Sequence, residues 1–460
     1  MMRRFASFLA PALLAGCSLA PPYVQPEAPI AESWPIGDAY LLQTEQALPS
    51  VDYTDVFRDV RFLSLVDQAL ANNRDLRIAA ANLQTARANA RLARSAQFPT
   101  LGIGAGADYA TGGNATSSES YSVLGGITSF EIDLFGRLAN ASAAARDRAL
   151  ATEAASRTVR IGIVADLASA WAAYAANREL LAVAQDTAAN ARRSLELTRM
   201  RLDGGIAPRT DVRQAEQLLA TAEADLALQT TALAQNENLV RLLVGAEFDR
   251  TLLPAQLEEA FSAIETLPAG TSSTVLLRRP DVIEAEYRLR AANADIGTAR
   301  ARLFPTLSLS GLLNFGSGSL GSLFTNDAFR ASAGADASQT VFDAGGRAAT
   351  VEVSEAQRDA ALASYEQTIQ IAFREVADAL AVQGTVAERL RTAQVNTDAT
   401  ADAARLTEAR YRGGIDSFLA NLDAQRSLYS ARRQKIATEL AAIENRITLY
   451  RVTGTVPENR

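Results

Sequence analysis

The sequence predicts a mainly α-helical, internally duplicated protomer with a transmembrane β part, and three observations carry that reading. First, Arg137 to Leu202 and Arg347 to Arg412 are Ala-rich and proline-free, and each ends in Gly-Gly-Ile: Gly204-Gly205-Ile206 and Gly413-Gly414-Ile415. At 1.5 Å per residue each stretch would make a helix of roughly 100 Å. A helix that long cannot be buried in one core and must lie beside other long helices. Second, Leu101 to Phe135 and Leu307 to Phe342 are glycine-rich and alternate apolar with small or polar residues, the signature of hairpins. Third, a shift of 206 lays Asp75–Leu101 over Asp281–Leu307 with eleven identities in 27 positions, including the whole of Phe-Pro-Thr-Leu at 98–101 and 304–307.

From these follows an order of parts. Residues 1–16 read as a signal peptide, with Arg3 and Arg4 before a short apolar stretch. Residues 17–59 are rich in proline and read as an extended segment tethered to lipid. The first repeat spans 60–245: a helix bent or broken near Asn72-Asn73, the hairpin 101–135, the long helix, and a helix returning from Pro208 to Val244. Pro99 cannot continue a helix and marks the change to strand. Residues 246–280 form an irregular connector. The second repeat spans 281–454, with its hairpin at 307–342, and 455–460 is a tail. No segment after the signal peptide has 18 uncharged apolar residues.

Composition narrows the chemistry. The chain is 48% apolar and 21% charged with a net charge of −7, which gives no reason to expect nucleic acid. It has no histidine, the commonest general base and metal ligand. The single cysteine, Cys17, stands in Leu14-Ala15-Gly16-Cys17, which resembles a bacterial lipoprotein box. The expected modification is an N-acyl group and an S-diacylglycerol on Cys17; Ser18 after it points to the outer membrane. No metal or other cofactor is implied. Gly102-Ile103-Gly104-Ala105-Gly106 is not followed by Gly-Lys-Ser/Thr and reads as strand, not a phosphate loop.

Two hairpins supply four strands, too few to close a barrel, and an open sheet edge is intolerable in lipid. Three chains would pool their strands into a twelve-stranded β-barrel and their helices into a twelve-helix α-barrel continuing from it. A soluble antiparallel coiled coil with small attached sheets is the competing architecture.

The element order, the lipoprotein box and Leu277-Arg278-Arg279-Pro280-Asp281-Val282 with Ala285-Glu286 resemble the outer-membrane channel lipoproteins of tripartite efflux systems, the TolC-type family and its OprM/NodT-like branch. The resemblance covers essentially the whole mature chain. It implies a homotrimer with no enzymatic activity, a belt of irregular structure round its helical tunnel, and a passive exit for drugs and other small molecules. It also implies a periplasmic adaptor and an inner-membrane RND-type pump as partners. In such channels the helix-to-helix turns form a gate lined by acidic residues. Carried onto this sequence, the gate residues are Asp416, Asp423, Tyr411, Arg412 and Asp211, and the adaptor-contact tips are Gly204, Gly205, Ile206, Gly413, Gly414 and Ile415. Asp416 and Asp423 would share a helix face if the returning helix already began at 416; the alternative reading is that Asp416 caps that helix. Asp211 reads equally as a charge at a helix start. Trp34, Tyr109 and Tyr121 are candidates for membrane interfaces, and Glu258-Glu259 reads as a solvated face. A type I secretion exit and a non-conducting lipid-anchored scaffold are the alternative functions.

Overall fold

The computed structural model describes residues 18–31, 33–35, 37, 39–40, 52–111, 117–265 and 273–454. Cys17, the signal segment and the tail lie outside them. Helices α1 (Val60–Asn72) and α2 (Arg74–Ser95) lead into strands β1 (Leu101–Ala110) and β2 (Ser118–Ile132), then α3 (Arg137–Asp203) and α4 (Arg209–Val244). A short α5 (Leu257–Ser262) lies in the connector. The second pass is α6 (Pro280–Ala301), β3 (Thr306–Ser317), β4 (Phe329–Ser338), α7 (Gly346–Arg412) and α8 (Phe418–Thr453). The two long helices have 67 residues each and the two returning helices 36 each. The chain forms two compact units: Met1–Ala28, Ala81–Ala154 and Ile283–Gln367 make one, and Pro29–Ala80, Ala155–Val282 and Thr368–Arg460 the other.

The first unit holds one antiparallel sheet in the order β1-β2-β3-β4, so the middle pairing joins the two repeats. Its two outer edges, β1 and β4, have no strand partner among the described residues. The register puts Leu101, Ile103, Ile127, Phe130, Leu309, Leu313, Phe315 and Phe329 on one face. Many of these are well exposed, Ile103 at 90%. The opposite face carries Gly102, Gly104, Gly106, Ser122, Ser308, Ser310 and Ser332, small and polar, with Leu124 and Leu312 the apolar exceptions. Tyr109 and Tyr121 lie on the apolar face near the β1–β2 turn. Entry to each strand pair follows one recipe: a last 3-10-like turn (Phe98 N–H to Ser95 O, Phe304 N–H to Ala301 O) and then proline. Exit repeats too. Asp133 Oδ2 accepts from Ala139 N–H at 2.7 Å, and Asp343 Oδ2 from Arg347 N–H at 3.1 Å, satisfying open donors at the starts of α3 and α7.

The segment expected to be a loose tether is instead seated. Between Ser18 and Gln25 it touches Asn140 of α3 and Glu286 and Asn293 of α6.

In the second unit, α1 and α2 are separated at Asn73. Its side chain accepts from Asp75 and Leu76 N–H and donates to Leu243 O at 2.8 Å, capping one helix while holding the end of α4. Phe57, Phe62, Trp171 and Tyr450 form a ring-packed core with centroid spacings of 4.9 to 5.5 Å. Trp34 belongs to the interior of this unit and not to a membrane interface: it is 2% exposed, 4.8 Å from Phe373. An indole there removes more apolar surface from water than an interfacial one would. Glu259 is likewise partnered, with Arg61 at 2.9 Å, so the solvated-face reading of that carboxylate fails. The Arg-Arg-Pro-Asp motif acts as a staple. Pro280 opens α6, and the largely buried Arg279 joins Asp281, Glu375 and Val452 O at 2.7 to 3.2 Å. One window of α3 has a mean hydropathy of 1.2, as apolar as a membrane span, but 61% of it is buried within the protein.

Gly126 sits beside the register shift between Ile127 and Phe130, with φ +146°, and a Cβ there would meet Gly311 O at 2.1 Å. That backbone leaves no room for a side chain. Gly126→Val should abolish the β signal in infrared spectra of the reconstituted protein. Gly102→Ala, where a Cβ meets nothing within 4 Å, should leave it unchanged.

Candidate functional site

Both long helices stop in the same way. The second glycine of each pair is left-handed (Gly205 φ +73°, Gly414 φ +70°), and the next isoleucine N–H reaches back to an arginine carbonyl: Ile206 to Arg201 O and Ile415 to Arg410 O, each 2.9 Å. Gly205 and Gly414 N–H also donate to Leu202 O and Tyr411 O. These are Schellman closures, and only the second glycine is required by its backbone. Gly204, Gly205, Gly413 and Gly414 are exposed, and Ile206 and Ile415 are 70% and 69% exposed at the ends of their turns.

Behind the tips the two helix pairs meet. Leu195 of α3, Val212 and Ala215 of α4, Tyr411 of α7, and Phe418 and Leu422 of α8 form one buried cluster. Tyr411 is its centre: 4% exposed, its ring 5.5 Å from that of Phe418 and its hydroxyl 3.4 Å from Thr198 Oγ1. Arg201 crosses from the first turn to the second. Its guanidinium lies 4.6 Å over the Tyr411 ring, and Nη1 donates to Tyr411 O at 2.8 Å. Above the cluster a cleft of about 430 Å³ separates the helix pairs, lined by Asn190, Leu218, Asn421, Gln425 and Tyr429 among others. That cluster and Arg201 join the helix pairs at the tips, while Ser169 with Glu444 and Asp166 with Arg451 join α3 to α8 farther along.

The charged residues sort differently from the sequence expectation. Helix α8 begins at Phe418, and Ser417 is its cap, accepting from Ala420 N–H at 3.3 Å. Asp416 therefore lies before the helix, neither capping it nor sharing a helical face with Asp423. It takes a bidentate grip on Arg410 instead, at 2.7 and 2.9 Å. Asp423 is exposed and makes no hydrogen bond or ion pair among the described residues. Arg412 pairs with Glu408 on its own helix and holds nothing across the turn. Asp211 is in the first turn of α4, its N–H on Pro208 O. Sequence reasoning missed Arg201 and Arg410. They were findable, because each stands three residues before its Gly-Gly pair. Cys17 lies outside the described residues.

No group of three or more metal-ligating side chains occurs among the described residues. A sheet with one apolar, exposed face and two open edges is the kind found in membrane-inserted β proteins. The particular family follows from comparison. The outer membrane efflux protein family matches residues 65–246 and 271–455, and the chain belongs to it. It is 38% identical over 454 residues to the solvent efflux pump outer membrane protein SrpC of Pseudomonas putida, covering 96% of each chain. It is 36% identical to the antibiotic efflux pump outer membrane protein ArpC of Pseudomonas putida, covering 96% of this chain and 93% of that one. The open-state MtrE channel of Neisseria gonorrhoeae superposes with a TM-score of 0.84 at 30% identity, over 95% of this chain and 98% of that one. This chain is the outer-membrane channel component of an efflux system, mainly helical with a β part of the TolC type.

The Arg410 guanidinium holds the Asp416 carboxyl below the usual carboxylate range. A depressed pKa means that the pair's contribution is present above the ordinary value of about 4 and is lost as pH falls through the lowered one. Hydrogen exchange over 410–418, corrected for intrinsic rates, should stay flat from neutral pH down to about 4 and rise below it. Arg410→Gln should raise exchange at neutral pH and flatten the profile, because the pair it removes is the source of the pH dependence.

Proposed function

We propose that three copies of this chain close a twelve-stranded barrel in the outer membrane and a twelve-helix tunnel in the periplasm, a passive duct for small molecules with no catalytic role. An inner-membrane RND-type pump, joined through a periplasmic adaptor, supplies the energy. The two open sheet edges carry this reading. In hydrocarbon every unpaired backbone group costs several kcal/mol, and β1 and β4 present two rows of them. Pairing β4 of one copy with β1 of the next removes both rows. The apolar face then meets lipid, and the glycine- and serine-rich face lines water.

In this reading residues 1–16 are removed and Cys17 carries the N-acyl and S-diacylglycerol groups that anchor the chain. The tips are the periplasmic gate. Arg201 on Tyr411 latches the two turns, while the Arg410–Asp416 pair braces the second turn from within, an exposed salt bridge worth only about 0–1 kcal/mol. A partner's contact is enough to undo such a latch. Asp423, lacking any partner of its own, supplies a carboxylate per copy to a ring that favours cations. Arg412 and Asp211 serve their own helices first, and their part in the gate is electrostatic. Gly204, Gly205 and Ile206, with Gly413, Gly414 and Ile415, receive the adaptor. Relatives named for solvent and for antibiotic efflux match over nearly the same span, which supports a duct that leaves cargo selection to the pump.

Native mass spectrometry in detergent should give three chains per particle, and planar bilayers should show a cation-preferring current. Arg201→Ala should raise that conductance by freeing the latch, and Asp423→Ala should lower cation preference. A monomer that conducts nothing would sink the duct. Unchanged current and selectivity in both variants would remove these two residues from the gate.

A further inference from the structure

The cleft between the two helix pairs has the furnishing of a small-molecule site. Its volume of about 430 Å³ falls in the range of drug-sized pockets. Its floor is the buried cluster, where Tyr411, Phe418 and Leu422 are joined by the partly buried Leu197 and Leu218. Asn421 stands among them at 5% exposure, and its side chain bonds no described residue through either amide atom. The deficit is therefore the same whichever way round the amide sits. On α4, Asp225 lines the same cleft with Oδ2 buried and unbonded, while Oδ1 takes only Gln229 Nε2 at 3.4 Å. Buried polar atoms without partners are costly to keep, and native proteins hold few of them. Two on one cleft, from opposite helix pairs, point to an occupant that serves both.

The charges round the cleft decide what that occupant carries. Arg193, Arg412, Arg426 and Arg433 line it against Asp225 and Glu408. Arg412 is already paired with Glu408. Arg426 and Arg433 are exposed and have no carboxylate partner among the described residues; Arg433 lies 5.5 Å over the Tyr429 ring instead. A guanidinium presents a planar fork of donors that matches a carboxylate, so the open rim favours an anion over an apolar floor.

We propose that this cleft binds a small amphipathic organic acid. Its apolar body lies over Leu197, Leu218 and Phe418, and its anionic group meets Arg426 and Arg433. A polar group on that body bonds Asn421 and donates to Asp225. The cleft has this shape with Arg201 seated on Tyr411, so an occupant that fits it favours the latched arrangement by linkage. The effect on current rests on the gate proposed above; the binding does not.

The test uses the full chain in phosphatidylcholine nanodiscs, with dansylglycine as the probe: an aromatic body, a carboxylate and a sulfonamide N–H. Fluorescence titration, with empty nanodiscs subtracted, should saturate, and added salt should weaken the binding. Dansylcadaverine, a cationic counterpart, should bind more weakly by about tenfold or more. Arg426→Gln with Arg433→Gln should weaken dansylglycine by about tenfold to a hundredfold, the worth of hydrogen bonds to a charged group, and flatten the salt dependence. Asn421→Leu should weaken it by about twofold to tenfold. Thr221→Trp, at an exposed position on the cleft, should abolish saturation while circular dichroism and particle mass stay those of wild type. Bound probe should lower conductance in planar bilayers. Binding no different from that of empty nanodiscs overturns the proposal. So does equal affinity for the cationic probe, or an affinity that survives Thr221→Trp or the loss of both arginines. Saturable, arginine-dependent binding with unchanged current keeps the site and removes the latch as the element it acts on.

Discussion

The unpaired backbone along β1 and β4 is the constraint on which the rest depends. Within one chain the only pairing between repeats is β2 with β3, so neither hairpin has a sheet without the other. A lone hairpin is marginal even in water, and duplication raises the count to four strands without removing the edges. The apolar face makes the need sharper. Ile103, Leu101, Leu313 and Phe329 stand exposed on it, and a soluble sheet would have buried them. In the proposed trimer, duplication and self-association answer a single problem at two scales. The same alternation that makes the sheet lipid-compatible leaves small glycine and serine positions on the other face, which keeps a channel's bore open.

The long helices carry that geometry to a place where it can be controlled. Their ends are fixed by backbone hydrogen bonds alone, through Arg201 O and Arg410 O, so the arginine side chains are left for other work. Arg201 uses its guanidinium on the neighbouring turn and Arg410 uses its own on Asp416. The apolar cluster round Tyr411 is small, and a cleft lies directly above it. Close to the tips the attachment rests on these few groups, and the next ties between α3 and α8 are Ser169 with Glu444 and Asp166 with Arg451.

Much of this was legible in the sequence because it depends on local rules. Proline at 99 and 305, the alternation of 101–109, and the Gly-Gly pairs each act through backbone conformation over a few residues. The break at Asn73 was visible for the same reason. What could not be read was partnership across the chain. Trp34 looks interfacial by residue type, yet Phe373, more than 300 positions away, buries it. Glu259 has its partner in Arg61, and the seated strap depends on Asn140, Glu286 and Asn293. At the tips the sequence leaves Asp416 between the first turn of the helix and its cap, and Ser417, one residue on and equally competent, takes the cap. That small displacement sends Asp416 to Arg410 instead of into a helical stripe with Asp423.

The two tips are copies in backbone and unequal in attachment, and the inequality bears on how such a gate moves. Pro208 enters α4 without a side-chain cap, whereas Ser417 caps α8, and the second turn alone has a bidentate pair within it. The second hairpin is therefore braced internally at its tip. Its tie to the first hairpin is of another kind, a guanidinium on Tyr411 and a handful of apolar contacts. Loosening that tie breaks no hydrogen bond that shapes either turn. In the proposed gate, the tip of the second hairpin can then part from that of the first without refolding its end. A design in which the two turns were stitched by their backbones would have been stronger, but opening it would have required unwinding a helix end.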